Sequence, residues 1–344
     1  MVTEVGWDEF LKLRTTRPLI DVRSPAEFAA GHIPQAVNIP LLNNEERIAV
    51  GTDYKQKGRR EAIKTGFKLV GPRLLQIIEQ AEEVAVNKEL IVHCWRGGMR
   101  SANFSRFAAM YDLRSYTLKG GYKAYRQKAL DSFKQPLRVV LISGCTGSGK
   151  SEVLRSLKKA GEQVLDLEAM ANHKGSAFGG LMMPAQPTTE QFQNALFEQI
   201  QTLNLSRPVW VEDESIAIGK IFLPDDFWKT MRSSPIVLLE VEKSVRIRRL
   251  VKEYGCAHQE EFLTAMRKIT RKLGGQHFNQ ARDFLLANDL HQAIEILLTY
   301  YDKAYLGSLQ KRQPVKIGTV AWDGTDATVA AQRIKQIAQE KTLT

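Results

Sequence analysis

Leu137-Arg-Val-Val-Leu-Ile-Ser-Gly-Cys-Thr-Gly-Ser-Gly-Lys-Ser151 begins as an apolar run of strand length and ends in the pattern G-x-x-x-x-G-K-[ST]. A buried strand that breaks into glycines and reopens as a helix lets successive backbone N–H groups wrap a phosphate. Gly144, Gly147 and Gly149 allow the tight path, Thr146 and Ser148 complete the loop, Lys150 supplies a point charge, and Ser151 can hold Mg²⁺ at the helix start. The motif defines a phosphate-binding loop and leaves open whether a nucleotide such as ATP or only another diphosphate occupies it. Around it, strands expected at Gln163 to Leu167, Pro208 to Val211, Ile236 to Val241 and Pro314 to Trp322 alternate with helix-length segments, and a closing helix is expected at Ala327 to Glu340. That alternation predicts a parallel sheet covered by helices. The stretch from Ser244 to about Leu306 reads as mostly helical.

The residues expected to serve this loop follow the strands. Asp166 and Glu168 come after the second strand, where P-loop kinases hold an acceptor, and Glu212, Asp213 and Glu214 come after the third, where an acid orients a metal. Arg246, Arg248 and Arg249 follow the fourth, placed like lid arginines or as contacts to nucleic acid. The sequence does not name a metal.

At 344 residues the chain exceeds what one hydrophobic core usually supports, so two domains are expected. The polar stretch Asp131 to Pro136 sets the boundary, giving 1–134 and 135–344. Composition, 43% hydrophobic and 25% charged, is that of a folded protein. The net charge of +11 favours a polyanionic partner. No apolar run approaches the roughly 20 residues that cross a bilayer, and the opening lacks a secretion signal, so a cytoplasmic location with no membrane partner is expected. Cys94, Cys145 and Cys256 are too scattered for a disulfide framework or a CxxC zinc site.

In the first half, the strand Glu89-Leu-Ile-Val-His93 runs into Cys94-Trp-Arg-Gly-Gly-Met-Arg-Ser101, which opens a helix ending near Tyr111. Such a loop aims backbone N–H groups and the helix dipole inward, lowering a thiol's pKa and holding an oxyanion. Cys94 is therefore a candidate nucleophile, with Arg96 and Arg100 reinforcing it. On a loop, its thiol is expected to contribute little packing. Leu19-Ile-Asp-Val-Arg-Ser-Pro-Ala-Glu-Phe-Ala-Ala-Gly-His-Ile-Pro-Gln-Ala-Val-Asn-Ile-Pro40 resembles the opening signature of the rhodanese family, and Leu118-Lys-Gly-Gly-Tyr122 its closing turn. The resemblance implies a rhodanese-like α/β domain and chalcogen-carrier chemistry, with Cys94 bearing a persulfide or perselenide. One feature departs from it: five residues separate Cys94 from Arg100, where sulfur-transferring rhodaneses commonly have four. The longer loop is that of cysteine-dependent phosphatases, sized for a tetrahedral phosphate, although no loop offering a general-acid Asp is evident. A donor that is itself a chalcogen-bearing phosphate reconciles the two readings.

A rhodanese-like domain followed by a P-loop NTPase-like parallel-sheet domain, with Gly51-Thr-Asp-Tyr-Lys-Gln-Lys-Gly-Arg-Arg-Glu-Ala-Ile-Lys64 between the signatures, resembles the tRNA 2-selenouridine synthase family. The resemblance implies a transferase that replaces sulfur by selenium in wobble 2-thiouridine of tRNA. Its co-substrates would be selenophosphate and geranyl diphosphate, with an S-geranylated intermediate. The implied partners are tRNA and an enzyme that supplies selenophosphate; the sequence carries no signal for oligomeric state. Lys55, Lys57, Arg59, Arg60 and Lys64, together with the Arg246 to Lys252 set, are expected to contact tRNA. Phe178-Gly-Gly-Leu-Met-Met-Pro184 is a candidate wall for a prenyl group. Two other readings compete: a nucleotide-sensing adaptor with a degenerate rhodanese domain, which the intact Cys94 opposes, and a P-loop kinase fused to a phosphatase-like domain.

Overall fold

The computed structural model describes residues 2–342. Two compact units meet in sequence between Ser132 and Phe133, slightly before the boundary expected after residue 134.

The first unit runs β1 (Val2–Val5), α1 (Trp7–Leu13), β2 (Leu19–Asp21), α2 (Pro25–Ala30), β3 (Val37–Asn38), α3 (Asn44–Gln56), α4 (Arg59–Val70), α5 (Leu74–Val84), β4 (Glu89–His93), α6 (Met99–Met110), β5 (Arg114–Leu118) and α7 (Gly121–Ser132). Its strands form a parallel sheet in the order β1-β5-β4-β2-β3. Parallel sheets covered on both faces bury their strands, and β2 and the last four residues of β4 are buried accordingly, apolar but for Asp21 and His93 at their carboxyl ends. The sequence did not point to β1 or β5. Arg114-Ser-Tyr-Thr-Leu118 lacks an apolar run, yet Ser115 and Thr117 are buried in the sheet. The segment from Gly51 to Lys64 forms the end of α3, the turn at Lys57 and Gly58, and the start of α4, a helical hairpin.

The second unit runs β6 (Val139–Ser143), α8 (Lys150–Lys159), β7 (Gln163–Leu165), α9 (Leu167–Ala171), α10 (Thr189–Gln201), β8 (Val209–Glu212), β9 (Ala217–Ile218), β10 (Ile221–Phe222), α11 (Asp225–Ser233), β11 (Ile236–Glu240), α12 (Lys243–Tyr254), α13 (Gln259–Arg267), α14 (Thr270–Leu273), α15 (Gly275–Leu286), α16 (Leu290–Arg312), β12 (Lys316–Ala321) and α17 (Ala327–Thr342). A parallel sheet in the order β12-β11-β6-β8-β7 forms its centre, with β6 and β8 buried along their length. A small antiparallel pair, β9 with β10, stands apart from that sheet. Helices α12 to α16 build their own apolar cluster around Phe262, Met266, Ile294 and Leu298.

In each sheet the strand order reverses beside one central strand, β4 in the first and β6 in the second. The carboxyl end of such a strand opens on a crevice, which is where open α/β sheets bind ligands. Cys94 follows β4 and Gly144 follows β6.

Candidate active site

The loop from Cys94 to Gly98 is closed by the start of α6. Cys94 is not at the surface as expected: it is 3% exposed and packs with the core of the first unit. Its Sγ accepts the Gly98 N–H at 3.3 Å and lies 3.3 Å from the Ser101 hydroxyl. Burial alone would push the thiol's pKa up; the Ser101 hydroxyl, the backbone N–H groups of the loop and the Arg100 charge outweigh it and bring the pKa below its ordinary value. Tyr122 and Lys123 donate their backbone N–H groups to the carbonyls of Cys94 and Trp95, both at 2.9 Å. Gly121, with φ +56°, is what permits that seam, because a Cβ there would collide with the Cys94 carbonyl oxygen. The closing turn of the rhodanese signature is thus the second wall of the cysteine loop.

Arg100 is held by Glu27, Nη1 to Oε2 at 2.5 Å and Nη2 to Oε1 at 3.1 Å. Glu27 is fixed in turn by a capping box with Ser24 at the start of α2. Burial would raise the Glu27 pKa, but Arg100 lowers it further, so the carboxylate stays ionised. Arg96 is exposed at the loop's rim. Beneath the loop, Arg23 forms a buried pair with Asp21 at 2.6 Å and lies 3.9 Å over the Tyr122 ring. Burial drops the His93 pKa to about 4, so His93 is neutral at physiological pH. Sequence reasoning did not single out Glu27, Ser101 or Tyr122 as parts of the site; the S-x-x-E spacing of Ser24 and Glu27 was the available signal.

The P-loop leaves β6 at Gly144. Ser148 donates its N–H to the Cys145 carbonyl at 3.1 Å, and Lys150 Nζ folds back to the Gly144 carbonyl at 3.0 Å. Gly149 is left-handed at φ +79°, and a Cβ on it would lie 2.6 Å from both the Arg249 guanidinium and the Trp322 ring. Gly147 lies against Leu250 of α12. Ser151 Oγ donates to Glu168 Oε2 at 2.7 Å. These two oxygens suit a Mg²⁺ ion that keeps most of its waters and takes its remaining ligands from a bound phosphate. Among the described residues no three His, Cys, Asp or Glu side chains cluster as metal ligands.

The acids divide by role. Asp166 caps α9 through the Ala169 N–H at 2.8 Å. Glu212 is fully buried at the end of β8 and accepts the Glu168 N–H at 2.7 Å; burial, then the charges of Asp166 and Glu168, raise its pKa well above the carboxylate range. Burial and Glu168 push Glu214 up to about 8. Asp213, which lines the cleft, accepts from the Ser143 hydroxyl at 2.6 Å and pairs with Arg312.

The arginines of α12 also separate. Arg246, expected at a lid or on tRNA, is 5% exposed. It makes a bidentate pair with Asp302, at 2.8 and 2.7 Å, and donates to the Thr146 carbonyl at 3.2 Å, so it supports the P-loop from behind. Arg249 pairs with Glu152 at 2.7 Å and lies over the Trp322 ring, while Arg248 is exposed. Arg248 and Arg249 line an open cleft of about 1300 Å³ that includes Lys150, Ser151, Glu168 and Glu214. Tyr254, Tyr300, Tyr301 and Tyr305 form its aromatic side. Beside Thr146 and Ser176 a narrower apolar cavity is walled by Phe178, Tyr254, Phe262 and Tyr301. Of the segment proposed as a prenyl wall, Phe178 and Leu181 both belong to the helical core, Phe178 also reaches that cavity, and Met183 lines the cleft.

Two family models match the chain: a rhodanese-like domain over residues 7–128 and a tRNA 2-selenouridine synthase AAA domain over residues 137–337. The tRNA 2-selenouridine synthase of Nitrosomonas europaea is 35% identical over 363 aligned positions, covering 90% of this chain and 94% of the relative. That of a Sulfurovum species is 36% identical, covering 84% and 87%. Among solved structures, a rhodanese-related protein from Thermoplasma volcanium is 17% identical with a TM-score of 0.24, covering 37% of this chain and 92% of the other.

Proposed function

The chain belongs to the tRNA 2-selenouridine synthase family, a family of tRNA-modifying transferases, and from that premise we propose how its two loops divide the reaction. The P-loop takes the diphosphate of geranyl diphosphate. The thiocarbonyl sulfur of wobble 2-thiouridine attacks the prenyl C1, an S–C bond forms as the C–O bond breaks, and diphosphate leaves with the electron pair while the base loses its N3 proton. Lys150 and the loop N–H groups stabilise the departing charge. Mg²⁺ bound by Ser151 and Glu168 would add further charge neutralisation. S-alkylation makes the sulfur a leaving group, so a selenide nucleophile displaces geranylthiolate at C2. The Cys94 loop, with Arg100 and Arg96, receives selenophosphate.

The observation that carries this reading is a cleft of about 1300 Å³ in the P-loop unit that is lined both by the phosphate loop and by Tyr254, Tyr300, Tyr301 and Tyr305. An allylic diphosphate brings a charged head for Lys150 and the loop N–H groups and an apolar tail for the tyrosine side of the same cleft. The tRNA substrate accounts for the net positive charge and implies a cytoplasmic location. The experiment is mass analysis of nucleosides from 2-thiouridine tRNA incubated with the protein, geranyl diphosphate and selenophosphate. Geranylthiouridine should form with the first donor alone and selenouridine only with both. Selenouridine at full yield without geranyl diphosphate would refute the prenylated intermediate.

A further inference from the structure

The Cys94 loop combines four features that a chalcogen carrier does not require together. Five residues stand between Cys94 and Arg100, the spacing of cysteine-dependent phosphatases. The thiol is nearly buried, and its sulfur accepts the Gly98 N–H and lies beside the Ser101 hydroxyl, both at 3.3 Å. A half-buried guanidinium, Arg100, sits one residue before Ser101 and is held in a bidentate pair by Glu27. The helix α6 begins at Met99, so its N-terminal field acts on the same bowl. This is an arrangement for attack on phosphorus.

We propose that Cys94 is a phosphorus nucleophile, and that the loop cleaves chalcogenophosphates through a cysteinyl-phosphate. As a step for this enzyme the proposal rests on selenophosphate being the donor. The Cys94 Sγ–P bond forms as the P–Se bond breaks, and the electron pair leaves on selenium as hydrogen selenide with the proton the donor carries. Water then attacks phosphorus, the S–P bond breaks, and the thiolate is restored with release of phosphate. No electrons change hands. A perselenide on Cys94, which the rhodanese resemblance implies, would take two electrons from selenide-level selenium: without an added oxidant they must go to phosphorus, which would leave as phosphite instead of phosphate.

The missing general acid fits this assignment. Phosphatases protonate an alkoxide leaving group, but hydrogen selenide is a far stronger acid than an alcohol and departs unaided. The carboxylate that reaches the loop, Glu27, is held ionised by Arg100 and is therefore a poor proton donor. Glu27 is better read as a positioning residue, fixing the guanidinium where the equatorial phosphoryl oxygens would lie. The loop should accordingly turn over inorganic thiophosphate and selenophosphate, and leave unactivated alkyl phosphates almost untouched.

The test uses the full chain with each of these two donors. Samples are denatured at neutral pH and the peptide bearing Cys94 is weighed, and parallel reactions contain glycerol to intercept a phosphoryl enzyme as glycerol phosphate. The expected result is a phosphoryl adduct on Cys94 or glycerol phosphate among the products, with stoichiometric sulfide or selenide. Cys94→Ser should abolish both, and Arg100→Ala should slow them by about 100-fold or more, the usual effect of removing one charge-stabilising donor. Circular dichroism of both variants verifies that the fold is retained. Recovery of selenium or sulfur on Cys94, or selenide release with neither adduct nor glycerol phosphate, overturns the proposal. If thiophosphate gives the adduct while selenophosphate is left intact, the phosphorus chemistry stands and the choice of donor fails.

Discussion

Cys94 illustrates how a single residue's environment sets what can be asked of it. The folded protein lowers its thiol pKa, so alkylation by iodoacetamide should reach half its maximal rate at a lower pH than for a free cysteine. Ser101→Ala removes a donor to the thiolate and should move that midpoint upward; an unmoved midpoint would exclude the hydroxyl from the stabilisation. The linkage has a definite sign. A group whose pKa is depressed on folding contributes stability above its unfolded pKa and loses that contribution as pH falls through its folded one. Because Cys94 packs in the core, Cys94→Ala should cost about 1 kcal/mol in a denaturant titration while abolishing selenation and sparing geranylation. Lys150→Ala tests the other loop: geranylation should fall by about 100-fold, and selenation with it. Normal geranylation in that variant would move the prenyl donor away from the P-loop.

Among the elements, α3 runs for 13 residues and buries none of them, although its start is fixed by a capping box. With α4 it forms a hairpin on which six cations between Lys55 and Lys68 stand against one carboxylate, Glu61. Lys57 and Lys64 are paired with Asp53 and Glu61, while Lys55, Arg59, Arg60 and Lys68 make no ion pair among the described residues. Arg60, Lys64, Phe67 and Lys68 share the outer face of α4, and the aromatic rings of Phe67 and Tyr54 are exposed. Reversing Lys55, Arg59 and Arg60 to Glu should weaken tRNA binding and flatten the slope of log affinity against log salt by roughly 0.7 to 0.9 for each phosphate no longer neutralised. Equal affinity and slope in the variant would remove the hairpin from the tRNA surface. The sequence already marked these cations but not the helices that carry them: α3 has no apolar stripe to announce it, and the stripe of α4, Ala62, Ile63, Leu69 and Val70, is short. β5 escaped notice for the opposite reason, its buried positions being partly hydroxyl side chains. The strands Glu89 to His93 and Ile236 to Glu240 were readable because both are apolar in their interior, with a turn at each end.

Across the molecule, what the sequence disclosed was chemistry packed into a few consecutive residues: a cysteine loop and a phosphate loop, each short enough to be a motif. What it concealed was the support of those loops. Glu27 meets Arg100 across 73 residues, Asp302 meets Arg246 across 56, and Arg312 meets Asp213 across 99. No spacing rule reaches that far, and Arg246 could not be distinguished from its exposed neighbour Arg248 without the partner that buries it.

Helix α16 has a consequence of its own. Along its 23 residues, Asp302 holds the arginine that donates to the Thr146 carbonyl, Tyr305 lies 3.0 Å from the Ser143 hydroxyl, and Arg312 holds the acid that follows β8. One helix is thereby fastened to the strand before the phosphate loop, to the loop itself and to the adjoining acid. Local unfolding of α16 must break all three attachments, so whatever firms the loop also raises the free energy of opening the helix. At inorganic diphosphate about 100 times its dissociation constant, amide hydrogens of α16 that exchange only by opening with the loop should exchange about 100-fold more slowly. Exchange unchanged by saturating diphosphate would show the attachments to be energetically slack. If they are taut, protection of this helix reports occupancy of a site that it does not itself line with charge.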